Sequence, residues 1–143
     1  MVVATYKSKM KNLFGKSILV VDDDTRWLCA LDKVLAGEGA VTTTAQCAGE
    51  VLNVLTARPI PIDLLITDLR MPCVTGLTLV HSIHKIFPEL PIIVLTAYGS
   101  PKLMAECLSQ GAAGFWEKPL DTTQLLTAIA DVFALNKMSA TYD

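Results

Sequence analysis

Short continuous apolar runs alternate along the chain with longer segments in which apolar residues recur at intervals of three or four. Runs of the first kind are typical of strands buried on both faces, and the periodic segments are typical of amphipathic helices. The predicted strands are Ser17–Val21, Val41–Ala45, Asp63–Thr67, Pro91–Leu95 and Gly114–Glu117. The predicted helices run from Thr25 to about Glu38, from Gly49 to about Ala57, from just after Gly76, from Pro101, and from Asp121 to about Asn136.

Residues that favour helix starts lie at the beginning of two of the predicted helices. Ser100 precedes Pro101, and serine caps the free N–H groups of a helix while proline suits its first position. Asp121 and Gln124 have the spacing of a capping box. Val41–Ala45 is rich in β-branched residues and less apolar than the other runs, so we expect it at an edge of the sheet.

The alternation of strands and helices indicates an α/β fold, with a parallel sheet covered by helices on both faces. Right-handed crossovers leave few arrangements of such a sheet, and doubly wound sheets are foremost among them. We divide the chain into a flexible N-terminal extension (1–15), one domain (16–136) and a short polar tail (137–143). In doubly wound sheets, ligands bind beyond the carboxyl ends of the strands, so polar residues there are the candidates for function.

Composition narrows the classes of function. The chain has 143 residues, of which 52% are hydrophobic, and this suits one folded domain. Its net charge is −2 and its pI about 5.6, so the chain as a whole lacks the excess of positive charge that is typical of nucleic-acid-binding domains. No apolar run approaches the roughly 18 residues that span a bilayer, and residues 1–16 lack the apolar stretch of a secretory signal. We therefore expect a cytoplasmic protein that binds neither nucleic acid nor a membrane.

Polar side chains follow four of the predicted strands. Asp22 and Asp23 follow the first strand, and Asp68 follows the third. Thr96 follows the fourth strand and Lys118 the fifth. Neighbouring parallel strands lie about 5 Å apart, so these groups are expected to converge on one pocket. Clustered carboxylates repel one another by about 4 kcal/mol per pair at 4 Å and an effective dielectric near 20.

Such a cluster requires positive charge. Lys118 supplies one charge, and the surplus suits a hard divalent cation with oxygen ligands, for which Mg²⁺ is the natural choice. Mg²⁺ commonly bridges one or two carboxylates to a phosphate, while a hydroxyl and an ammonium bind phosphoryl oxygens. A carboxylate nucleophile that yields an acyl phosphate is the reaction class that this set suggests.

Four segments together carry a family resemblance. They are Ile18–Asp24, Asp63–Pro72 with Gly76, Pro91–Ser100 and Gly111–Pro119. In this order they resemble the receiver domains of bacterial two-component response regulators, over about residues 16–136. The resemblance implies a flavodoxin-like sheet of strand order 2-1-3-4-5. It also implies a signalling domain, not an enzyme in its own right, which takes a phosphoryl group from a sensor histidine kinase or a histidine phosphotransfer protein.

The resemblance assigns roles in phosphoryl acceptance and metal binding. Asp68 looks like the phosphoacceptor. Asp23 and Asp68 are expected to bind Mg²⁺ through their side chains, Arg70 through its backbone carbonyl, and Asp22 mostly through water. The Lys118–Pro119 bond is expected to be cis, as it typically is in the family.

The resemblance also assigns roles in switching and in phosphoryl lifetime. Thr96 is similar to the switch hydroxyl, Lys118 to the lysine that pairs with the phosphoryl group, and Phe115 to the rotating aromatic residue. Arg70 and Tyr98 stand where the family places side chains that flank the phosphoryl group and tune its lifetime. Phosphorylation is expected to remodel the helix from Pro101, the last strand and the last helix, and to promote a homodimer through that face.

Two rival interpretations remain. A haloacid-dehalogenase-type phosphatase also uses a strand-end aspartate, but its first motif requires threonine or valine where Arg26 stands. A pseudo-receiver would keep the fold without accepting phosphate. Asp24 is expected to cap a helix, and His81 and His84 are expected to be solvated helix residues. The sequence leaves open whether the chain acts alone or as part of a longer regulator.

Overall fold

A computed structural model describes residues 13–57, 61–70 and 75–142, with side chains as far as residue 135. In this part of the chain the strands are β1 (Ser17–Val21), β2 (Val41–Ala45), β3 (Leu64–Thr67), β4 (Ile92–Thr96) and β5 (Gly114–Glu117). The helices are α1 (Thr25–Gly37), α2 (Ala48–Ala57), α3 (Gly76–Ile86), α4 (Pro101–Ser109) and α5 (Thr122–Tyr142). Strands and helices alternate as the hydrophobic pattern predicts.

The strands form one parallel sheet in the order β2-β1-β3-β4-β5. The flavodoxin-like doubly wound fold is therefore confirmed, and β2 lies at an edge as its composition predicts. The strand order reverses between β1 and β3, so a crevice opens beyond the carboxyl ends of these two strands. Any ligand site of this fold is expected there.

Alternate side chains of each strand enter apolar clusters on opposite faces of the sheet. The α1–α5 cluster contains residues of those two helices with one face of the strands, among them Ile18, Val20, Leu28, Leu31, Leu35, Ile93, Leu125 and Ile129. The α2–α4 cluster contains residues of the other three helices with the opposite face, among them Leu19, Val21, Val51, Leu65, Val80, Ile83, Val94 and Cys107. Residues of β1, β3 and β4 are thus buried on both faces of the sheet. A shift of one of these strands along its own direction would move its side chains out of the clusters.

The predicted helix caps are confirmed, and each helix begins within one residue of its predicted start. The Asp24 carboxylate caps α1, and the Ser100 hydroxyl caps α4 with Pro101 at the helix start. At the start of α5, the Gln124 N–H donates to Asp121 Oδ1 (2.7 Å) and the Asp121 N–H donates to Gln124 Oε1 (3.3 Å). These two reciprocal bonds form a capping box.

Three limits, in two of the strands, differ by one residue from the predicted ones. The Asp63 side chain accepts a hydrogen bond from the Ser17 N–H (2.8 Å), so β3 begins after it, at Leu64. Pro91 has no N–H group to give to the sheet, and β4 accordingly begins at Ile92 and continues to Thr96, which pairs with Glu117. In the described part of the chain, every helix is too short or too polar to cross a membrane.

The fold extends past both predicted domain boundaries. Leu13 is buried in the α1–α5 cluster, and the exposed Gly15 is tied to the fold because its N–H donates to Gly39 O (2.9 Å). At the other end, α5 passes Asn136 and reaches Tyr142, because no glycine or proline interrupts it. Residues 1–12 of the predicted extension, and residue 143, lie outside the described part of the chain.

Candidate functional site

The candidate residues are anchored by backbone bonds that continue the sheet past its strands. The Asp68 N–H donates to Val21 O (3.1 Å), which ties the end of β3 to the end of β1. The Lys118 N–H donates to Thr96 O (2.8 Å), which ties the end of β5 to β4. The side chains at these strand ends therefore project from a rigid frame. The peptide bond that follows Lys118 is cis, as the resemblance implies.

Three carboxylates meet at this edge of the sheet. Oxygen atoms of Asp22, Asp23 and Asp68 all lie within 4.8 Å of one another. Asp22 and Asp68 are buried, with 1% and 9% of their surface exposed, while Asp23 faces solvent. Asp24 stays out of the cluster, since its carboxylate accepts the N–H groups that begin α1. The convergence predicted from the strand ends is thus observed, with the predicted members.

Lys118 brings a positive charge to this cluster. Its Nζ lies 2.5 Å from Asp22 Oδ2 and 3.6 Å from Asp68 Oδ2, so one ammonium faces two buried carboxylates. Burial nevertheless raises the pKa of Asp22 above its ordinary value, although the hydrogen bonds from Lys118 and from the Asp24 N–H act in the opposite direction. By count, the cluster has three carboxylates against one ammonium.

The two oxygens of the Asp68 carboxylate have different surroundings. Oδ1 accepts the Leu69 N–H at 2.6 Å and, more weakly, the Arg70 N–H at 3.5 Å. Oδ2 faces Lys118. One oxygen is thus held by the backbone, while the other points toward the Lys118 ammonium.

Thr96 ends the strand next to Asp68 and is fully buried. Its Oγ1 accepts the Tyr98 N–H at 3.2 Å. A hydroxyl can accept and donate at the same time, so this bond leaves the Thr96 proton available to an oxygen in the pocket.

The predicted lifetime pair is in direct contact. The Arg70 guanidinium carbon lies 3.7 Å from the centroid of the Tyr98 ring, and both residues are exposed. Their backbone N–H groups donate to Asp68 and Thr96, respectively. The stacked side chains therefore join the loops that follow β3 and β4. Phe115 lies on β5, half-buried against the α2–α4 cluster.

Two residues near the pocket were given no role from the sequence. The Trp27 ring lies under the ammonium of Lys118, with its centroid 4.6 Å from Nζ. Gly76 packs against the backbone of Asp68 and Leu69 so closely that a side chain there would overlap it. Trp27 lies in α1, and nothing in the local sequence indicates its contact with a lysine so distant along the chain.

His81 has its hydrogen-bond partner outside this pocket. His81 is exposed and hydrogen-bonds Gln110 (2.6 Å), as expected for a histidine on a helix surface. Among the residues that the structure describes, the aspartate cluster is the one group of three or more possible ligands within reach of a single ion. Three carboxylates with one ammonium are a donor set that fits a hard divalent cation such as Mg²⁺.

Comparison with known proteins agrees with this geometry. The family model described as the response regulator receiver domain matches residues 18–130. The transcriptional regulatory protein GlrR of Escherichia coli (strain K12) is 40% identical over 114 residues, which are 80% of this chain and 25% of that protein. The DNA-binding transcriptional regulator NtrC of the same strain is 35% identical over 112 residues, which are 78% of this chain and 24% of that protein.

A solved structure extends the agreement to the fold. The CheY-like response regulator receiver domain protein from Methanospirillum hungatei JF-1 superposes with a TM-score of 0.81 at 30% identity, over 87% of this chain and 98% of that chain. The chain spans about a quarter of the length of GlrR and NtrC. The family model covers most of the chain and includes every strand end of the pocket. The chain therefore belongs to the family of response regulator receiver domains.

Proposed function

We propose that this domain accepts a phosphoryl group on Asp68 from a sensor histidine kinase or a histidine phosphotransfer protein. The observation that carries the proposal is the environment of the Asp68 carboxylate. It ends a central strand, lies against a second buried carboxylate, and has one oxygen facing Lys118 at 3.6 Å. This is the arrangement that a strand-end nucleophile needs, and the family assignment favours it over the phosphatase alternative.

The transfer is a displacement at phosphorus. An oxygen of Asp68 forms the new P–O bond, and the bond from phosphorus to the donor's imidazole nitrogen breaks, with its electron pair returning to the ring. Lys118 and the Thr96 hydroxyl are suited to bind the phosphoryl oxygens as charge develops on them. The Leu69 N–H holds the non-attacking Asp68 oxygen at 2.6 Å, which fixes the orientation of the nucleophile.

The residues that would hold Mg²⁺ are Asp22, Asp23 and Asp68, with the backbone carbonyl of Arg70 as a further ligand. When bound, Mg²⁺ supplies positive charge that neutralises phosphoryl oxygens. The three carboxylates fit this ion because their oxygens lie within 4.8 Å of one another, and the one ammonium of Lys118 offsets only one of their three charges. We expect Asp23 to be a direct ligand and Asp22 to act mostly through water.

Magnesium titration distinguishes Asp23, which belongs to the aspartate cluster, from Asp24, which lies outside it. Asp23→Ala should weaken Mg²⁺ affinity strongly, whereas the matched control Asp24→Ala should leave it nearly unchanged, because Asp24 serves the helix cap. Equal loss in both variants would mean that the wrong members of the aspartate triplet have been assigned to the metal.

The stack of Arg70 on Tyr98 supports a long-lived phosphoryl group. Water must reach the phosphorus atom in line with the Asp68 oxygen in order to hydrolyse the acyl phosphate. Both side chains are bulky, and neither carries the carboxylate or amide that would orient such a water molecule. We therefore expect slow self-dephosphorylation.

The switch is proposed to pass from Thr96 to Phe115. A phosphoryl group on Asp68 draws the Thr96 hydroxyl toward it, which frees space beside β4 for the Phe115 ring. Complete burial of such a ring contributes about 1.5–3 kcal/mol. Because phenylalanine has no hydroxyl to desolvate, the inward state is expected to be partly populated before phosphorylation, which reduces the on/off ratio.

The output surface is proposed to be the face made by α4, β5 and α5. Rearrangement of Phe115 on β5 would alter this face, and phosphorylation is expected to promote a homodimer through it. Exposed apolar side chains of α4, Met104 and Leu108, are available for such a contact. Since GlrR and NtrC are transcriptional regulators, we propose a cytoplasmic signalling role in which any DNA binding belongs to parts of the protein beyond these residues.

Labelling by acetyl phosphate with Mg²⁺ tests the proposal. A receiver gains a stable phosphoryl adduct, a phosphatase releases phosphate continuously without accumulating an adduct, and a pseudo-receiver does neither. We expect the first outcome. Intact-mass measurement over time shows whether the adduct forms and persists. Continuous phosphate release, or the absence of both adduct and release, would contradict the proposed function.

A further inference from the structure

Lys118 has a third partner besides its two carboxylates. Its Nζ lies 4.6 Å from the centroid of the Trp27 ring, and its side chain is 15% exposed. An ammonium within about 6 Å of an indole face is attracted by the ring, and the attraction grows when water is excluded. The Trp27 contact is therefore of the stronger, desolvated kind.

The Trp27 ring is a fixed platform and not a mobile surface residue. Its backbone N–H donates to the Asp24 carboxylate at 3.3 Å, in the cap that begins α1. Its ring packs, half-buried, against the α1–α5 cluster. The ring is thus held through its backbone by the helix cap and through its side chain by the core.

The flexible side chain of Lys118 needs a contact that restrains its ammonium. Its long side chain has four rotatable bonds, and Asp22, at 2.5 Å, attracts the ammonium more closely than Asp68 does at 3.6 Å. An additional carboxylate would restrain Lys118 only by adding to the repulsion in the cluster. An aromatic face restrains the ammonium without adding a formal negative charge.

We propose that Trp27 is a positioning residue for Lys118, holding its ammonium beside Asp68 for the incoming phosphoryl group. The proposal rests on the proposed function, because it assumes that Lys118 meets that group. Loss of the ring in Trp27→Leu is expected to slow adduct formation about five- to thirtyfold, the fold-change that corresponds to a cation–π contact of about 1–2 kcal/mol. Trp27→Phe keeps an aromatic face of weaker attraction and should fall between wild type and Trp27→Leu.

A double-mutant cycle distinguishes positioning from mere packing. The rate of adduct formation from acetyl phosphate is measured for Trp27→Leu and Trp27→Phe, each with Lys118 and with Lys118→Met. If the ring acts through Lys118, the Trp27 substitutions should have little further effect in the Lys118→Met background. Trp116→Leu is the matched control, since Trp116 packs against the same cluster but lies over Gly114. Its effect on the rate should be the same in both backgrounds.

A second measurement needs no phosphorylation. The same cycle is followed by urea unfolding without magnesium, and the ring–ammonium contact should appear as a coupling between positions 27 and 118 that is absent between 116 and 118. If Trp27→Leu does not fold, the Trp27→Phe cycle is used for the test. The expected coupling there is about two- to threefold in the equilibrium constant of unfolding. A wild-type chain that forms no adduct would refute the proposed function itself. If wild type forms an adduct but coupling to Lys118 is absent in either measurement, the role of Trp27 is overturned while the proposed function stands.

Discussion

Gly76, the first residue of α3, lies against the backbone that carries the proposed phosphoacceptor. A Cβ atom placed on Gly76 would lie 2.4 Å from Leu69 Cα and 2.6 Å from Asp68 O. The backbone of Gly76 is not in the left-handed region, so the constraint is one of space and not of conformation. We predict that Gly76→Ala destabilises the protein, although alanine is the better helix former.

The magnitude follows from the size of the overlap. Ordinary van der Waals contact begins at 3.4 Å, so Leu69 Cα and the new Cβ must separate by about 1 Å. The obstacle is backbone, and it is held by the bond from the Gly76 N–H to Leu69 O (2.9 Å) and by that from the Asp68 N–H to Val21 O (3.1 Å). Overpacking of this kind costs about 1–3 kcal/mol, against at most about 1 kcal/mol gained from helix propensity. We expect a net loss of about 1–2 kcal/mol in the free energy of unfolding.

Gly49 provides a matched control. It lies in the first turn of α2, and a Cβ there would meet nothing within 4 Å. Gly49→Ala should therefore be neutral or stabilising, by up to about 1 kcal/mol. Urea unfolding followed by far-ultraviolet circular dichroism measures both variants, with an unchanged m-value as the check on two-state behaviour. If Gly76→Ala is as stable as wild type or more so, the packing argument is refuted.

The remaining predictions concern the pocket and its output. Because burial raises the pKa of Asp22 above 3.8, the folded state binds its proton more tightly and the ionised form costs stability. Asp22→Asn should therefore gain stability relative to wild type as the pH rises from about 3.8 in urea titrations without magnesium, and a pH-independent difference would contradict this. Arg70→Asn and Tyr98→Glu should accelerate loss of the phosphoryl group while Tyr98→Phe should not, and unchanged decay in the first two would count against shielding. Beryllofluoride with Mg²⁺ should cause self-association in sedimentation and NMR shifts near Phe115, and a strict monomer with shifts confined to the acidic pocket would leave the switch unsupported.

The sequence predicts the fold well because its strands are buried on both faces. In the first strand, residues 18–21 are all apolar and buried, and the predicted limits Ser17 and Val21 are those observed. α5 continues past the predicted domain boundary at residue 136, because a helix stops where its hydrogen bonds are interrupted and a polar composition alone does not interrupt them. Leu13 shows the opposite case, since Leu13 and Phe14 form an isolated apolar pair that gives no periodic signal, and only the assembled core shows where Leu13 packs.

The aspartate cluster and Lys118 follow from sheet topology, and the contacts between long side chains do not. Asp22, Asp68 and Lys118 each stand at a strand end, and parallel strands bring those ends together. The contacts of Trp27 with Lys118 and of Arg70 with Tyr98 depend on side-chain rotamers and on the path of two loops. Rotamers and loop paths are determined by tertiary packing, and local sequence patterns do not predict them.

Intact-mass analysis after incubation with acetyl phosphate and Mg²⁺ tests the central claim most directly, because it counts phosphoryl groups on the chain. Wild type should gain one phosphoryl group, and Asp68→Asn should gain none. The control Asp24→Asn should keep the adduct, because its carboxylate caps α1 outside the acidic cluster. A persistent adduct of equal yield in Asp68→Asn would contradict the assignment of Asp68 as the phosphoacceptor.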